Sequence, residues 1–138
     1  MMKRNNFPFS AVLGLNHAKT AILVVLVNPR AGGLLISGPR GIGKSTLMRS
    51  TQELIERPWR DIPVSITEDR LFGTIDTEKA IYSGQKKLYP GIINEADQGV
   101  LYLDDVNLLR EDLLDSILDI AEVGMYQLER DGLSLRCD

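Results

Sequence analysis

The chain has 138 residues, enough for one domain with a buried core, and its 43% hydrophobic and 25% charged residues exclude a disordered protein. A net charge of -3 gives no basic excess of the kind that binding to nucleic acid or an anionic membrane requires. The lone Cys137 excludes an intrachain disulfide and a cysteine-rich metal site. No apolar run is long enough to cross a bilayer, and we expect a soluble, cytoplasmic protein.

The first half of the chain is predicted to contain a strand that leads into a helix. Residues 21–27 are apolar throughout and fit either a buried strand or a buried helix, because periodicity does not distinguish the two. Residues 34–37 are predicted to form a short buried strand. The segment 44–57 has apolar residues at helical spacing, and Pro58 ends the predicted helix.

The second half continues the alternation of strands and helices. Residues 62–66 are predicted to form a strand, and a short helix is expected over residues 77–82. Val100–Leu103 is apolar on both faces, which is typical of a strand covered on both sides. An amphipathic helix is predicted from about residue 110 to its cap at Gly124.

The end of the chain predicts a β-hairpin within residues 125–137, since Asp131-Gly132 is a strong turn signal between two short strands. Together, the predicted elements indicate an α/β fold in which helices flank a largely parallel sheet.

A glycine-rich segment satisfies the phosphate-loop pattern G-x-x-x-x-G-K-[ST] at every fixed position, and the candidate nucleotide-binding residues are Gly38, Pro39, Arg40, Gly41, Ile42, Gly43, Lys44, Ser45 and Thr46. Glycines let the backbone approach phosphate oxygens closely, so that successive N–H groups point at them. The helix that follows adds the partial positive charge of its N-terminus. Lys44 supplies a charge toward the β- and γ-phosphates, and the Ser45 hydroxyl is a candidate ligand of Mg²⁺. The alternative is a glycine turn with an incidental lysine.

Two acidic residues, Asp104 and Asp105, follow the predicted strand Val100–Leu103. P-loop ATPases need a buried strand that ends in an acid holding Mg²⁺, often followed by a glutamate that polarises the attacking water. We therefore predict Asp104 as a metal ligand and Asp105 as the catalytic base, with Lys44 as the second catalytic residue. The alternative is an acidic loop that caps the helix beginning near Arg110.

Asp105 is one methylene shorter than the expected glutamate. Its carboxylate is expected to lie about 1 Å short of the water, and a misplacement of that size costs on the order of 10²-fold in rate. Binding of Mg-ATP is expected to be almost unaffected, whereas hydrolysis is expected to suffer.

With both elements placed, longer segments become informative: "PFSAVLG" (8–14), "NPRAGGLLISGPRGIGKST" (28–46), "TEDRLFGTID" (67–76), "YPGIINEADQGVLYLDDVNLL" (89–109) and "LERDGLSLR" (128–136). They resemble the AAA+ ATPase subunit I of magnesium chelatase, and less specifically the MoxR-type relatives. The glycine-rich loop alone indicates only a P-loop protein, whereas residues 67–76 and 89–109 are much more specific to the chelatase group.

The resemblance implies a P-loop (AAA+) fold and a ring-forming subunit that couples ATP hydrolysis to insertion of Mg²⁺ into protoporphyrin IX, in chlorophyll biosynthesis. It implies ATP and Mg²⁺ as cofactors, further copies and other chelatase subunits as partners, and a location in the cytoplasm or plastid stroma. Residues 12–15 approach the adenine in this family, and the hairpin at 125–137 is an insertion typical of this branch.

Three departures from the family accompany the resemblance. Leu15 stands where the family has glutamine, and Asp105 stands where it has glutamate. Residues 1–138 resemble a partial AAA+ core, incomplete at its C-terminus, in which the family's sensor strand, arginine finger and helical lid are absent. The chain alone is therefore expected to hydrolyse ATP poorly or not at all.

Two other functions stay open at this stage. A non-hydrolysing paralogue that binds ATP as a scaffold is consistent with Asp105. A MoxR-like chaperone ATPase that remodels protein partners is consistent with the less specific part of the resemblance.

Overall fold

The structure is a computed structural model that describes residues 7–75, 88–130 and 133–137. It consists of two compact units, Met1–Glu56 and Arg57–Asp138.

The first unit is helical in its described part. Helix α1 spans Asn16–Val27 and helix α2 spans Lys44–Ser50, with short 3-10 segments at Phe9–Ala11, Pro29–Ala31 and Thr51–Leu54. The apolar run within residues 21–27 is thus helical, which settles the choice that periodicity left open. Asn28 and Pro29 end α1 because proline cannot continue the hydrogen-bond ladder.

A small apolar cluster holds the first unit together. Val12, Ile22 and Leu47 are buried in it, and partly buried neighbours include Phe9 and Leu15. The ammonium group of Lys19 in α1 donates a hydrogen bond to the carbonyl oxygen of Val12, and its Nζ lies 5.7 Å from the centre of the Phe9 ring. This cation ties α1 to the segment that precedes it.

Two sequence predictions for this unit are corrected. Residues 34–37 form no strand, and Leu35 is 75% exposed, because a short apolar segment needs a hydrogen-bonding neighbour that the described part of this unit does not supply. The helix predicted over 44–57 ends as α2 at Ser50 and continues only as a 3-10 segment. The Ser50 and Thr51 hydroxyls both donate to the carbonyl of Leu47, at 2.6 and 3.0 Å, and so compete with regular helical bonding.

The second unit contains the strands. Strand β1 (Trp59–Ile62) pairs in parallel with β4 (Val100–Leu103), β2 (Gly73–Ile75) pairs antiparallel with β3 (Leu88–Pro90), and β5 (Tyr126–Arg130) pairs antiparallel with β6 (Leu133–Cys137). The helices are α3 (Glu68–Phe72), α4 (Ile92–Glu95) and α5 (Glu111–Val123). In the described part of the chain, the parallel pairing is that of β1 with β4.

The second unit buries one continuous core between these elements, formed by Ile62, Ile66, Leu71, Phe72, Ile92, Ile93, Leu109, Leu113 and Ile117. Leu113 and Ile117 lie on the inner face of α5, as its amphipathic pattern predicts. Glu95 of α4 accepts from Arg60 of β1 at 3.1 Å and from Arg70 of α3 at 3.3 Å, which links three elements at the surface of the core.

Several predictions for the second unit are confirmed: the strand Val100–Leu103, the left-handed cap at Gly124 (φ 71°) and the two hairpin strands. The hairpin turn at Asp131-Gly132 and the helix predicted over 77–82 lie outside the described residues. The strand predicted at 62–66 is displaced to Trp59–Ile62. Pro63 explains the shift, since it has no N–H to donate to a strand ladder.

Candidate functional site

The phosphate loop lies in the first unit, between residues 34–37 and helix α2. Gly41 and Gly43 have φ of 82° and 89°, a left-handed conformation that glycine adopts at little cost. A Cβ atom at either position would meet nothing within 4 Å. These two positions therefore require glycine because of their backbone conformation and not because of crowding. The open space beside the backbone is what we expect of a loop that a ligand approaches closely.

Lys44 is the first residue of α2 and is held against its own loop. Its Nζ donates to the carbonyl oxygens of Gly38 at 2.8 Å and Pro39 at 2.6 Å. An ammonium has three N–H donors, so these two bonds leave one for an oxygen outside the loop. The side chain is thus fixed in place with one donor and its full charge available, which suits a phosphate oxygen.

Buried residues hold the loop from behind. Leu47, one turn into α2, is fully buried in the cluster of the first unit, and its N–H donates to the Gly43 carbonyl at 2.9 Å. Ser45 is half-buried and Thr46 is exposed on the same first turn. The phosphate loop is therefore anchored on the core of its unit through Leu47.

Two of residues 12–15, the segment for which the resemblance implies an adenine contact, lie in the apolar cluster that contains Leu47 of α2, whereas Leu13 is exposed. Val12 is buried with Leu47, and Leu15 is partly buried against them. Gly14 and Leu15 both have positive φ, 72° and 52°. Leu15 is an unusual residue for this conformation, and its apolar contacts offset the backbone cost. The adenine contact itself stays a prediction.

The acidic pair lies in the second unit, directly after β4. Asp104 is half-buried at the end of the strand, where the sequence places a metal ligand. Asp105 is exposed and left-handed, with φ 49° and ψ 49°, and its carbonyl accepts from the N–H of Leu108 at 2.8 Å. The alternative in which the pair caps the helix beginning near Arg110 is wrong, because Arg110 itself precedes α5. Asp105 instead precedes a 3-10 segment, Val106–Leu108, to which its side chain gives no capping hydrogen bond.

The fit of a metal ion follows from the chemistry of the donors. The described residues contain no group of three or more His, Cys, Asp or Glu side chains that would form an all-protein metal cage. Mg²⁺ bound with a nucleotide needs no such cage, since it takes one or two protein oxygens and completes its shell with phosphates and waters. The Ser45 hydroxyl and the Asp104 carboxylate are oxygen ligands of this kind by their chemistry, and their metal-binding role stays a prediction.

The sequence analysis did not predict the left-handed backbone of Asp105. This conformation gives a second reason for an aspartate at this position. Asp and Asn tolerate the left-handed region better than Glu because their short polar side chains bond locally. We expect Asp105→Glu to lower the free energy of unfolding of the second unit by about 0.5–1 kcal/mol, and Asp105→Asn to leave it unchanged. Urea titration followed by Trp59 fluorescence measures this, and an equally stable Asp105→Glu variant would contradict it.

The chain matches known proteins over nearly all of its length. The AAA domain family (dynein-related subfamily) matches residues 33–138. Magnesium-chelatase subunit ChlI of Olisthodiscus luteus is 38% identical over 94% of this chain and 47% of the relative. The magnesium-chelatase 38 kDa subunit of Cereibacter sphaeroides is 36% identical over 94% of this chain and 49% of the relative. The chain thus spans about half the length of these relatives.

A solved structure agrees with these matches. A structure of the complex between subunits BchI and BchD of magnesium chelatase, based on single-particle cryo-EM, aligns with a TM-score of 0.83 and 35% identity, over 97% of this chain and 52% of that chain. The α/β AAA+ fold class predicted from the sequence is confirmed.

Among the helices that the structure describes, none has the length and apolar character of a membrane span. The chain belongs to the AAA domain family and is, over most of its length, a homologue of the ChlI and BchI subunits of magnesium chelatase.

Proposed function

We propose that this chain binds Mg-ATP through residues 38–46 and serves as an ATPase module of a magnesium chelatase, where ATP hydrolysis drives insertion of Mg²⁺ into protoporphyrin IX. The observation that carries the proposal is the arrangement of Lys44, fixed by the carbonyls of Gly38 and Pro39 in a loop whose glycines adopt positive φ. The names of the similar proteins support the chelatase assignment.

Each candidate residue has a distinct role in this proposal. Lys44 binds and orients the β- and γ-phosphates, and the loop N–H groups bind their oxygens. Ser45 and Asp104 would hold Mg²⁺, which would supply positive charge that offsets the negative charge of the phosphates. Asp105 would act as the base that orients water. Its exposure on the solvent side of the strand end is compatible with that role.

The proposed partners follow from the relatives. The similar structure is a complex of two chelatase subunits, so we propose that a second chelatase subunit binds this chain and that copies of the chain form a ring. The location implied by the resemblance, in the cytoplasm or plastid stroma, is part of the same proposal.

A second candidate function is favoured by one observation, the aspartate at position 105. A nucleotide-binding scaffold that does not hydrolyse ATP would retain Lys44 and Asp104 and tolerate the shorter side chain at position 105. Phosphate release by the chain with its partner subunits distinguishes the two functions, because both bind ATP but only the motor hydrolyses it to ADP and phosphate. No described residue favours the chaperone over the chelatase, whereas the names of the relatives favour the chelatase.

The experiment that tests the proposal compares ATP affinity with and without Mg²⁺ by isothermal titration calorimetry. Wild type is expected to bind ATP more tightly with Mg²⁺, and Asp104→Asn to reduce that gain at least about tenfold, because an amide is a poorer ligand than a carboxylate. Asp119→Asn removes an exposed carboxylate elsewhere in the same unit and serves as the matched control. An Mg²⁺ effect that survives Asp104→Asn would remove Asp104 from the metal site.

A further inference from the structure

Residues 12–15 form an apolar segment beside the helix that begins at the phosphate loop. Val12 is buried in one cluster with Leu47, which lies about one helical turn, ~5 Å, beyond Lys44 in α2. A nucleotide with its phosphates at Lys44 is long enough to reach this segment with its base. Leu13, the next residue along the chain, is 92% exposed. The segment therefore offers an exposed apolar side chain to a planar ring.

The main chain of the same segment offers both donors and acceptors. The Val12 and Leu15 carbonyls are used, because they accept from the ammonium and the backbone N–H of Lys19. Within the described residues, the N–H groups of Leu13, Gly14 and Leu15 have no hydrogen-bond partner, and neither do the carbonyls of Leu13 and Gly14. Gly14 has a φ of 72° and open space beside it, so a ligand can approach this backbone closely.

The two purine bases present opposite patterns to such a backbone. Adenine donates from its N6 amino group and accepts at N1, whereas guanine accepts at O6 and donates from N1 and N2. Neighbouring N–H and C=O groups pair with either pattern. A side chain that only donates or only accepts would select one base, and residues 12–15 carry no polar side chain. The nearest polar side chains, those of Ser10, Asn16 and His17, each contain both a donor and an acceptor, so none of them imposes a choice.

We propose that this nucleotide site accepts purine nucleoside triphosphates without selecting adenine, so that GTP binds about as tightly as ATP. The inference rests on the proposed function, from which it takes the binding of the phosphates by residues 38–46. A site built around fixed polar partners rejects the wrong ligand by about 10⁴-fold or more, whereas an apolar site discriminates far less. Leu13 is the position at which a single polar side chain would set the specificity.

Calorimetric titration of the full chain with ATP, GTP and inorganic tripolyphosphate, each with Mg²⁺, tests the proposal. The dissociation constants of ATP and GTP are expected to lie within about tenfold of each other. Both nucleotides are expected to bind at least about tenfold more tightly than tripolyphosphate, because only they carry a base that covers apolar surface. Tripolyphosphate therefore separates binding of the phosphates from binding of the base.

Two variants at Leu13 test the position of the base. Leu13→Asp introduces a carboxylate that only accepts, which suits the N1 and N2 donors of guanine and repels the N1 lone pair of adenine. It is expected to raise the GTP-to-ATP affinity ratio at least about tenfold. Leu13→Asn has the same size but both donates and accepts, so its ratio should stay within about threefold of wild type. Any repulsion between the carboxylate and the phosphates affects both nucleotides and cancels in the ratio.

Val64→Asp is the control outside the site, because it places a carboxylate at an exposed apolar position (42%) in the second unit. It should leave both nucleotide affinities unchanged. Melting temperatures establish that each variant is folded, as the exposure of Leu13 and Val64 leads us to expect.

Three results would overturn the inference and leave the proposed function standing: affinities for ATP and GTP that differ by more than about tenfold in wild type, nucleotides that bind no more tightly than tripolyphosphate, or a Leu13→Asp ratio equal to that of wild type. A wild type that binds neither nucleotide nor tripolyphosphate would instead defeat the proposed function, and the inference with it.

Discussion

Replacing Lys44 by alanine is expected to weaken ATP binding by about 10- to 100-fold, which corresponds to the 1.5–3 kcal/mol typical of a hydrogen bond to a charged group. The Lys44 ammonium is fixed by the carbonyls of Gly38 and Pro39, at 2.8 and 2.6 Å, so little side-chain entropy is lost when it binds a phosphate. Calorimetric titration of ATP, or the loss of the thermal shift that ATP produces, measures the change.

Arg30→Ala is the matched control for this prediction. It removes one exposed positive charge from the same unit without touching the phosphate loop, so it reports the general electrostatic contribution to ATP affinity. We expect this variant to change the affinity by less than about threefold in moderate salt. An unchanged affinity in Lys44→Ala would mean that residues 38–46 are not the phosphate site.

Lys44→Ala also removes two hydrogen bonds from the loop in the absence of any ligand. Because Lys44 is only half-buried, the loss of these bonds is expected to cost the free chain less than the loss of ATP affinity. Measuring the melting temperature without ATP separates the two effects. A melting temperature that falls as far without ATP as with it would assign Lys44 to loop stability alone.

The parts of the fold that were predicted from sequence are those fixed by local chemistry. The phosphate loop is predictable from the sequence because its glycines and Lys44 lie within one short segment. The cap at Gly124 is predictable because glycine adopts the left-handed conformation that follows a helix at a lower energetic cost than other residues. The strand Val100–Leu103 is predictable because four consecutive apolar residues are followed by two acidic residues.

The parts that were not predicted depend on residues distant in the sequence. Residues 34–37 have the composition of a strand, but a strand also requires a partner, which composition does not reveal. The start of β1 at Trp59 is set by its register with Val100. The left-handed backbone at Asp105 is not predictable from the sequence either, although aspartate is one of the few residues that tolerate this conformation. The roles of Asp104 and Asp105 stay predictions.

The second large effect is expected at two glycines of the second unit whose backbone lies against other backbone. A Cβ at Gly91 would overlap the Leu71 carbonyl oxygen and lie 2.5 Å from both Gly73 N and Phe72 C. A Cβ at Gly99 would overlap the Pro58 carbonyl oxygen and lie 2.8 Å from the oxygen of Ala96. Rotation of a side chain relieves neither clash, because the opposing atoms belong to the main chain.

Gly99→Ala is expected to act on the strand that carries Asp104. The Pro58 carbonyl that a Cβ would strike also accepts the N–H of Val100 at 2.8 Å, the bond that opens the pairing of β1 with β4. Moving Pro58 away would break this bond and shift the register that sets the position of Asp104 at the strand end. The variant is therefore expected to lose both stability and the Mg²⁺ dependence of ATP binding.

We expect Gly91→Ala and Gly99→Ala each to lower the free energy of unfolding of the second unit by about 3 kcal/mol or more, the range of severe overpacking. Trp59 is the chain's one tryptophan and lies in β1, with its ring 5.7 Å from that of Tyr102 in β4, so its fluorescence reports this unit in a urea titration. Gly124→Ala is the matched control, because its Cβ would meet nothing within 4 Å and only its φ of 71° is unfavourable. It should cost about 1 kcal/mol. If Gly99→Ala cost no more than Gly124→Ala, the close approach of Gly99 to Pro58 would not limit the stability of the unit.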